Sequence, residues 1–483
     1  MHYTIIQVVH TIRMIQVLGT ASDSGKSTLA MALCYYFAEK GYKVAPFKAV
    51  NMSLNSISLK DSSEISRAQW LQAMAAGTEP SKFMNPFLIK PEGMGKSQII
   101  VKGKSIGSMN VEEYYEYLKN NAEVIIKEAL EKLSTEYEII IAEGAGSAAE
   151  INMEDRDFAN SYVSGIYRTP AILISDIDKG GVFASLYGTV KLMANNDLVK
   201  YMIINRMRGN WEMLSSGISK LEKLTGKKVI GIIPYSEISL PGEDSLNYNI
   251  SSIQNDRICI IKYPHMENYS DFDPFYLLNI GFTFVDKDNV DALDRCDIII
   301  MPGSKLVAED LHYMEKYGIA SKLIALQESK TIVGICGGYQ MLGRRIVDRN
   351  NVESRERETK CLGILDMETE FLDEKTTGSV NYVLNEKIFS GKISGDGYEI
   401  HYGETVKNME LPFAYIGGEP EGSARGNIFG TNIHGIFENR EFLSNLLHRE
   451  LSDYRQELIK NVGITSKLFT DNIDMKLIES LVT

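Results

Sequence analysis

Short β-rich runs alternate with helical patterns along this chain, and the alternation limits the possible fold more than any other feature of the sequence. The run over residues 15–18 is followed by a glycine-bearing loop and then by apolar residues at helical spacing. Such an order is typical of a parallel sheet whose strands are joined by crossover helices. The sequence therefore predicts an α/β fold. Further strand-like runs lie at residues 138–142, 171–175, 201–204 and 229–233.

A polar stretch in the middle of the chain divides the alternating pattern into two sets. Residues 236–257 contain proline and glycine and lack clear periodicity, and a second set of strand-like runs follows them. A chain of 483 residues is also too long for one hydrophobic core. We therefore predict two α/β domains, residues 14–235 and 258–483, joined by a linker. The helical segment from about Arg440 is assigned to the second domain.

The loop over residues 19–28 lies between a predicted strand and a predicted helix. Such a loop directs backbone N–H groups and the ammonium of Lys26 at phosphate oxygens, and the hydroxyl of Ser27 at a metal ion. Five residues rather than four separate its two glycines, one more than in the strict phosphate-loop pattern. A glycine-bearing turn before a capped helix is the simpler alternative. The residues predicted to contact ATP are Gly19, Thr20, Gly25, Lys26, Ser27 and Thr28.

Polar side chains follow three of the strand-like runs in the first domain. Glu143 comes directly after a buried run, Asp176 closes the next, and Asn205 ends a third. Ligands of open α/β sheets bind at the carboxyl ends of the strands, so Glu143 is placed where a magnesium-binding acid is needed. Asn205 is a candidate for binding the nucleotide base through its amide, although asparagine is also a common turn residue.

Cys336 lies between a predicted strand and a predicted helix, with glycines two positions before it and two after it. This spacing permits the sharp turn that holds a nucleophile up into solvent. The helix N-terminus favours the thiolate form, and the N–H of Gly337 is placed to bind an oxyanion. A buried structural cysteine fits the pattern less well. We predict thiolate attack on a carboxamide, which forms an acyl-enzyme and releases ammonia.

A cysteine nucleophile needs a base, and two histidines compete for that role. His434 follows a short β-like run and is the better candidate, while His401 ends the segment Gly-Tyr-Glu-Ile-His. The two contexts do not decide between them, since a single histidine is more often structural than catalytic. The N–H of Gly303, after another strand-like run, is a candidate to complete the oxyanion pocket.

Composition excludes several classes of protein. A formal net charge of −13 argues against general nucleic-acid binding, and no apolar run is long enough to span a bilayer. The five widely spaced cysteines form neither a disulfide framework nor a zinc site, which favours a cytoplasmic location. Residues 1–13 lack the features of a signal peptide, and we expect them to be an extension before a possible start at Met14.

With these residues in place, the chain resembles the cobyric acid synthase family, glutamine-dependent amidases of corrinoid biosynthesis, over nearly its whole length from Met14. The first half resembles the dethiobiotin-synthetase group of phosphate-loop enzymes, which carry the same longer glycine spacing. The second half resembles the class I glutamine amidotransferase domain of the cobyrinate type. The segments that carry the resemblance are residues 46–48, 51–56, 64–69, 85–86, 143–147, 150–152 and 176–183, then 301–305, 334–338, 397–401 and 434–435.

The resemblance implies Cys336 as the nucleophile of a glutaminase and His434 as its base. Many class I amidotransferases have a carboxylate two residues after this histidine, but Ile436 occupies that position here. Glu438 is the suggested third member of the triad.

In the first half, the resemblance implies a magnesium site in which Glu64, or Asp61, joins Ser27 and Glu143. It also implies a corrinoid site beside the nucleotide. The residues implied to face the corrinoid are Asn51, Ser53, Asn55, Glu150 and Asp155.

The activity implied is amidation of the b, d, e and g carboxylates of adenosylcobyrinic acid a,c-diamide, with ATP, magnesium and glutamine. One site must then accept differently placed acids, so we expect a broad open cleft. Two alternatives are a cobyrinic acid a,c-diamide synthase, which residues 51–56 disfavour, and a partitioning ATPase. Partitioning ATPases have an additional lysine near the start of the phosphate loop, where this chain has Thr20 and Ala21. Oligomeric state and the route of ammonia are left open.

Overall fold

The computed structural model describes residues 12–93, 95–238, 240–242, 257–354, 356–407 and 409–482. Most of the predicted extension and most of the predicted linker lie outside the described residues. Within the described part, both halves of the chain form α/β layers, as the alternating pattern predicts.

Six parallel strands form the sheet of the first domain. Met14–Gly19 lies near its centre, between Ala171–Asp176 and Ile139–Glu143, and all six of its residues are buried. A strand covered on both faces needs a continuous apolar run, which explains why the sequence pattern is so clear here. The strands follow one another across the sheet in the order Lys228–Pro234, Val199–Met207, Ala171–Asp176, Met14–Gly19, Ile139–Glu143 and Val44–Phe47.

Helices cover both faces of this sheet. The longest, Val111–Glu136, begins with a capping box in which Asn110 and Glu113 satisfy each other's backbone N–H groups, and it packs seven buried side chains toward the sheet. The helices of the domain are Lys26–Glu39, Arg67–Ala75, Val111–Glu136, Ser161–Ile166, Val182–Leu192 and Ser215–Thr225.

Between the parallel strands Val44–Phe47 and Ile139–Glu143 the chain forms a small extra layer that the sequence pattern does not predict. Its strands are short and partly polar, so period-two alternation is weak over most of them. A four-stranded sheet contains Val50–Met52, Phe87–Gly93, Lys96–Val101 and Lys104–Asn110, and a two-stranded ribbon pairs Ser56–Ser58 with Glu64–Ser66.

The second domain is built on a six-stranded sheet with a long, mostly antiparallel sheet beside it. Thr331–Ile335 lies inside the first of these sheets, between Ile298–Met301 and Ile428–Thr431. The six strands are Thr283–Val285, Ile258–Ile261, Ile298–Met301, Thr331–Ile335, Ile428–Thr431 and Ser423–Arg425, of which the last is antiparallel. The second sheet contains Glu358–Lys360, Arg345–Val347, Met367–Leu384, Ser394–Lys407, Ile433–His434, Ala414–Ile416 and Glu419–Glu421. The helices are Asp273–Leu277, Val307–Lys316, Ile319–Leu326, Gly337–Leu342 and Arg440–Leu447.

The last helices of the chain lie against the first domain, although the sequence analysis assigns them to the second. Helix Tyr454–Asp471 packs along helix Lys26–Glu39, and Ile473 bridges to Gly231 on an edge strand of the first sheet. Ile478, in the helix Met475–Glu479, is fully buried in the same hydrophobic cluster as Ile15. The C-terminal segment therefore completes the core of the first domain.

Cysteine placement differs in one respect from the sequence analysis, which predicts no disulfide framework. Cys259 and Cys296 lie side by side with their sulfur atoms in bonding contact. Cys34, Cys336 and Cys361 are free and buried. No helix among the described residues is long and apolar enough to cross a membrane.

We predict that Ile478→Ala lowers the free energy of unfolding of the first domain by about 3 kcal/mol, since it deletes a fully buried side chain and leaves a cavity. Ile459→Ala, on the exposed side of helix Tyr454–Asp471, is the matched control and is expected to change it by less than about 0.5 kcal/mol. Urea unfolding of both variants measures the difference. Equal effects would contradict the packing of the C-terminal helices on the first domain.

Candidate functional site

The phosphate loop joins the central strand Met14–Gly19 to the helix Lys26–Glu39. Gly25 caps the helix with φ 103°, a left-handed conformation that side chains other than glycine rarely adopt. The Nζ atom of Lys26 donates to the carbonyl oxygens of Ala21 and Gly146 at 2.8 and 2.9 Å. The loop is thus closed by its own lysine, at the edge of the sheet where phosphate is predicted to bind.

Glu143 ends the neighbouring strand and lies directly against the loop. Its carboxylate accepts from Ser27 Oγ at 2.7 Å, from Lys48 Nζ at 2.9 Å and from Gln72 Nε2 at 2.6 Å. Glu143 and Lys48 are both buried, so their charges are compensated inside the protein. The sequence predicted Ser27 and Glu143 together, and it did not predict roles for Lys48 or Gln72.

Ser27 and Glu143 offer hard oxygen atoms of the kind that Mg²⁺ binds with water and substrate phosphates. No group of three metal-ligating histidine, cysteine, aspartate or glutamate side chains occurs in the described part of the chain. The pair therefore fits a magnesium ion beside the phosphate loop.

Glu64 and Asp61, the acids that the family resemblance adds to this pair, lie elsewhere. Glu64 is bound by Lys90 Nζ at 2.7 Å and Lys375 Nζ at 3.0 Å. Burial raises the pKa of Glu64, but the charges of Lys375 and Lys90 outweigh it and hold the pKa below its usual range. Asp61 accepts from Lys82 and from the N–H of Ser63. This placement corrects the predicted magnesium set, because Glu64 is already neutralised by two lysines.

A cavity of about 970 Å³ opens beside the phosphate loop. Two of the residues implied to face a corrinoid, Asn51 and Glu150, line it. Ser53 and Asn55 do not, and the side chain of Asp155 lies outside the described part. The cavity wall also contains Thr20, Gly25, Lys26, Ser27, Thr28, Asn205, Lys48, Arg67 and Gln72.

Asn205 and Asp176, predicted at the ends of two further strands, brace this edge of the sheet. Asn205 Nδ2 donates to the carbonyl oxygen of Ser24 at 3.1 Å, inside the phosphate loop. Asp176 pairs with Arg206 at 2.8 Å. Asn205 therefore lines the cavity with its amide nitrogen already engaged, and base binding by this residue stays a prediction.

The second site is built on Cys336, at the turn between Thr331–Ile335 and Gly337–Leu342. Cys336 has φ 50° and ψ −112°, a strained backbone conformation for a residue other than glycine. A Cβ atom on Gly337 would stand only 2.8 Å from the backbone nitrogen of Ser304, so the elbow packs tightly against the segment Gly303–Ser304. The two predicted oxyanion residues, Gly303 and Gly337, are thereby brought together beside Cys336.

His434, rather than His401, interacts with the Cys336 thiol, which also donates to the carbonyl oxygen of Ile400 at 3.7 Å. Its Nδ1 atom donates to Asp271 Oδ2 at 2.8 Å, and Asp271 Oδ1 accepts from the N–H of Gly435 at 2.7 Å. Burial lowers the pKa of His434, but the charge of Asp271 and the hydrogen bonds to Asp271 and Cys336 outweigh it and raise the pKa to about 10. Cys336, His434 and Asp271 therefore have the arrangement of nucleophile, base and orienting acid.

Asp271, rather than the suggested Glu438, contacts His434. Glu438 pairs instead with Arg67 at 2.7 Å. His401 Nδ1 donates to the carbonyl oxygen of Gly403 at 2.8 Å, although His401 also lines the small cavity beside Cys336. Asp271 precedes His434 by 163 positions and lies in a segment without any motif, so no sequence signal separated it from the neighbouring Asp273.

Two family models match successive parts of this chain. A family model described as the CobQ/CobB/MinD/ParA nucleotide binding domain matches residues 15–245, and one described as the CobB/CobQ-like glutamine amidotransferase domain matches residues 257–442. These matches and the two sheets confirm the predicted fold class, a phosphate-loop NTPase-like domain followed by an amidotransferase domain.

Full-length relatives give the same assignment. A probable cobyric acid synthase of Picrophilus torridus is 57% identical, over 89% of this chain and 91% of the relative. Another from Thermoplasma acidophilum is 49% identical, over 96% of this chain and 98% of the relative. A third, from Methanothermobacter thermautotrophicus, is 39% identical, over 97% of this chain and 99% of the relative.

We predict that protonated His434 stabilises the fold in a pH-dependent way. Because its pKa is raised from 6.5 to about 10, the contribution is complete below pH 6.5 and is lost as the pH rises through about 10. His434→Gln is therefore expected to cost roughly 4 kcal/mol more at pH 6 than at pH 10.5. Urea unfolding at both pH values measures this, with the exposed His312→Gln as control. A pH-independent cost would contradict the ion pair with Asp271.

Proposed function

The chain belongs to the cobyric acid synthase family, and from this premise we propose that it amidates the b, d, e and g carboxylates of adenosylcobyrinic acid a,c-diamide, giving adenosylcobyric acid. The observation that carries the proposal is the presence of two complementary sites in one chain. One joins a phosphate loop to the Ser27–Glu143 pair, and the other joins Cys336 to His434 and Asp271. The first suits activation of an acid by ATP, and the second suits release of ammonia from glutamine.

In the glutaminase half, Cys336 Sγ attacks the carboxamide carbon of glutamine. The N–H groups of Gly337 and Gly303 stabilise the oxyanion that develops, and His434 passes a proton to the departing ammonia. Water then attacks the resulting thioester, His434 accepts its proton, and glutamate leaves as the thiol is restored. Asp271 holds the imidazole in the orientation that both proton transfers need.

In the synthetase half, a carboxylate oxygen of the corrinoid attacks the γ-phosphorus of ATP, and ADP leaves. Ammonia then attacks the acyl phosphate, and phosphate leaves to give the amide. Lys26 and the backbone N–H groups of the loop stabilise charge on the transferred phosphoryl group. Magnesium, held by Ser27 and Glu143, would neutralise further phosphate charge when bound. Lys48, next to Glu143, adds a second positive charge at this edge.

The size of the first cavity supports a large substrate. About 970 Å³ lies at the upper end of the range for small-molecule sites, and Asn51 and Glu150 lie on its wall with the phosphate loop. One broad cleft suits a macrocycle that must present several different carboxylates to the same phosphoryl group.

We predict that the wild-type protein, incubated anaerobically with adenosylcobyrinic acid a,c-diamide, Mg-ATP and glutamine, converts four carboxylates to amides. Cys336→Ala is expected to do so only with added ammonia, because it lacks the nucleophile that releases ammonia from glutamine. Mass analysis of the corrinoid counts the amides. A parallel incubation uses cobyrinic acid as the corrinoid, and two new amides on it would indicate the diamide synthase instead. No mass change of either corrinoid despite glutamine hydrolysis would contradict the corrinoid assignment.

We predict that Lys26→Met slows amidation by at least about 100-fold with either nitrogen source, since a charge that stabilises the transferred phosphoryl group is lost. Glutamine hydrolysis is expected to continue, because the substitution leaves Cys336, His434 and Asp271 in place. Lys220→Met, on an exposed helix surface, is the matched control and should keep full activity. Amidation by Lys26→Met at the wild-type rate would contradict the assigned phosphate site.

A further inference from the structure

A segment of the first domain touches the loop that carries Asp271. The N–H of Asn268 donates to the carbonyl oxygen of Leu54 at 3.3 Å, and the N–H of Ser56 donates to Asn268 Oδ1 at 3.4 Å. The N–H of Ser270 donates to Asn55 Oδ1 at 3.3 Å. Three hydrogen bonds therefore join residues 54–56 of one domain to residues 268–270 of the other.

These contacts are buried, so they cannot exchange freely with water. Asn55, Ser56 and Asn268 are each no more than 1% exposed, and Ser270 is 5% exposed. A buried donor or acceptor that loses its partner keeps its desolvation cost, so the two segments are held together more firmly than exposed ones of the same length.

Residues 268–270 are hydrogen-bonded to Asp271 and lie next to His434, so their position affects both residues. The N–H of Asp271 donates to the carbonyl oxygen of Asn268 at 3.0 Å, and Asn268 has a left-handed backbone with φ 50°. Asn268 Nδ2 also lies 3.3 Å from His434 Nε2. The position of the Asp271 carboxylate, and hence the orientation of the imidazole, thus depends on where residues 268–270 are held.

Resting on the proposed glutaminase activity, we propose that Asn55 of the synthetase domain is a positioning residue for the Asp271–His434 pair of the amidotransferase domain. The glutaminase site is complete only while the Asn55 side chain holds the loop before Asp271. The role belongs to Oδ1 alone, because Nδ2 of Asn55 has no hydrogen-bonding partner among the described residues.

The same segment also reaches the first cavity. Asn51 lies on the cavity wall, and its Nδ2 atom donates to Ser66 Oγ and to Gln69 Oε1 at 2.7 and 2.9 Å. Arg67, which follows Ser66, donates its backbone N–H to the carbonyl oxygen of Asn55 at 3.1 Å. The backbone that carries Asn55 is therefore tied to the wall of the acid-activating site, which gives the two reactions a shared structural element.

The test uses the full-length chain with Asn55→Ala, Asn55→Leu and Asn55→Asp. Alanine and leucine remove the acceptor, and leucine keeps most of the volume where alanine leaves a cavity. Aspartate keeps an oxygen at the place of Oδ1. Asn350→Ala, an exposed asparagine of the second domain that contacts Asp373, is the matched control. Thermal unfolding verifies that each variant is folded.

Two readouts are measured on every variant: the kcat/KM of glutamine hydrolysis, and the pH dependence of alkylation of Cys336 by iodoacetamide, followed on its peptide by mass spectrometry. We expect Asn55→Ala and Asn55→Leu to lower kcat/KM about tenfold, the equivalent of one buried hydrogen bond. The pH of half-maximal alkylation is expected to rise by about one unit, since a loosened Asp271 stabilises the imidazolium, and hence the thiolate, less well. Asn55→Asp is expected to stay within about threefold of wild type.

The pH dependence of Cys336 alkylation distinguishes this proposal from a role of Asn55 in corrinoid binding alone. The charged and titratable groups around the Cys336–His434 pair are unchanged in the alanine and leucine variants, so their titration cannot cause the shift. These groups are Asp271, Tyr263, Glu267, Lys305, Glu353, Lys375, Tyr398, His401 and Tyr402. If Asn55 contacts only the corrinoid, the folded variants alkylate at the wild-type pH, and the proposal fails. It fails equally if Asn55→Asp is as impaired as Asn55→Leu. A wild-type protein without glutamine hydrolysis would instead overturn the proposed function, while the alkylation profile still tests the positioning of His434.

Discussion

Buried charges that need partners hold the two domains of this protein in one arrangement. Lys90 of the first domain is fully buried, with its Nζ atom 2.7 Å from Glu64 and 3.7 Å from Glu267 of the second domain. Lys375 of the second domain completes the group at 3.0 Å from Glu64. Removing one partner from such a group leaves an uncompensated charge, at a cost of several kcal/mol. Separated domains would have to expose or neutralise all of these groups together, so the docked arrangement is strongly favoured.

Both catalytic sites depend on this docking. Glu267 and Lys375 line the small cavity beside Cys336, and Arg67 of the first domain pairs with Glu438 only four positions after His434. The C-terminal helix Tyr454–Asp471 adds a second connection, because it leaves the amidotransferase domain and packs on the phosphate-loop domain. The proposed glutaminase site is therefore a property of the assembled chain, even though Cys336 and His434 belong to one domain.

Much of each site could be predicted because its key residues lie in short segments with a fixed local geometry. The phosphate loop and the cysteine elbow each need glycines at set places, a preceding strand and a following helix, so Lys26, Ser27 and Cys336 were found from their neighbours alone. The two local contexts did not decide between His434 and His401. The family resemblance implied His434, and the structure pairs that histidine with Asp271. Glu64 was misplaced because nothing near it in the sequence shows that Lys90 and Lys375 would neutralise it. The extra layer over residues 50–110 was missed because its strands are short and partly polar.

The sequence by itself determined the fold class, the two-domain order and the chemistry of the loop and the elbow, since strand burial, helix periodicity and tight turns are set by residues within a few positions. Only the tertiary structure decided which distant residues complete the sites. Asp271 meets His434 across 163 positions, and Lys375 meets Glu64 across 311. The local sequence around a charged or hydrogen-bonding group does not identify its partner. The pairing is fixed only when packing brings two such groups together in a space that excludes water.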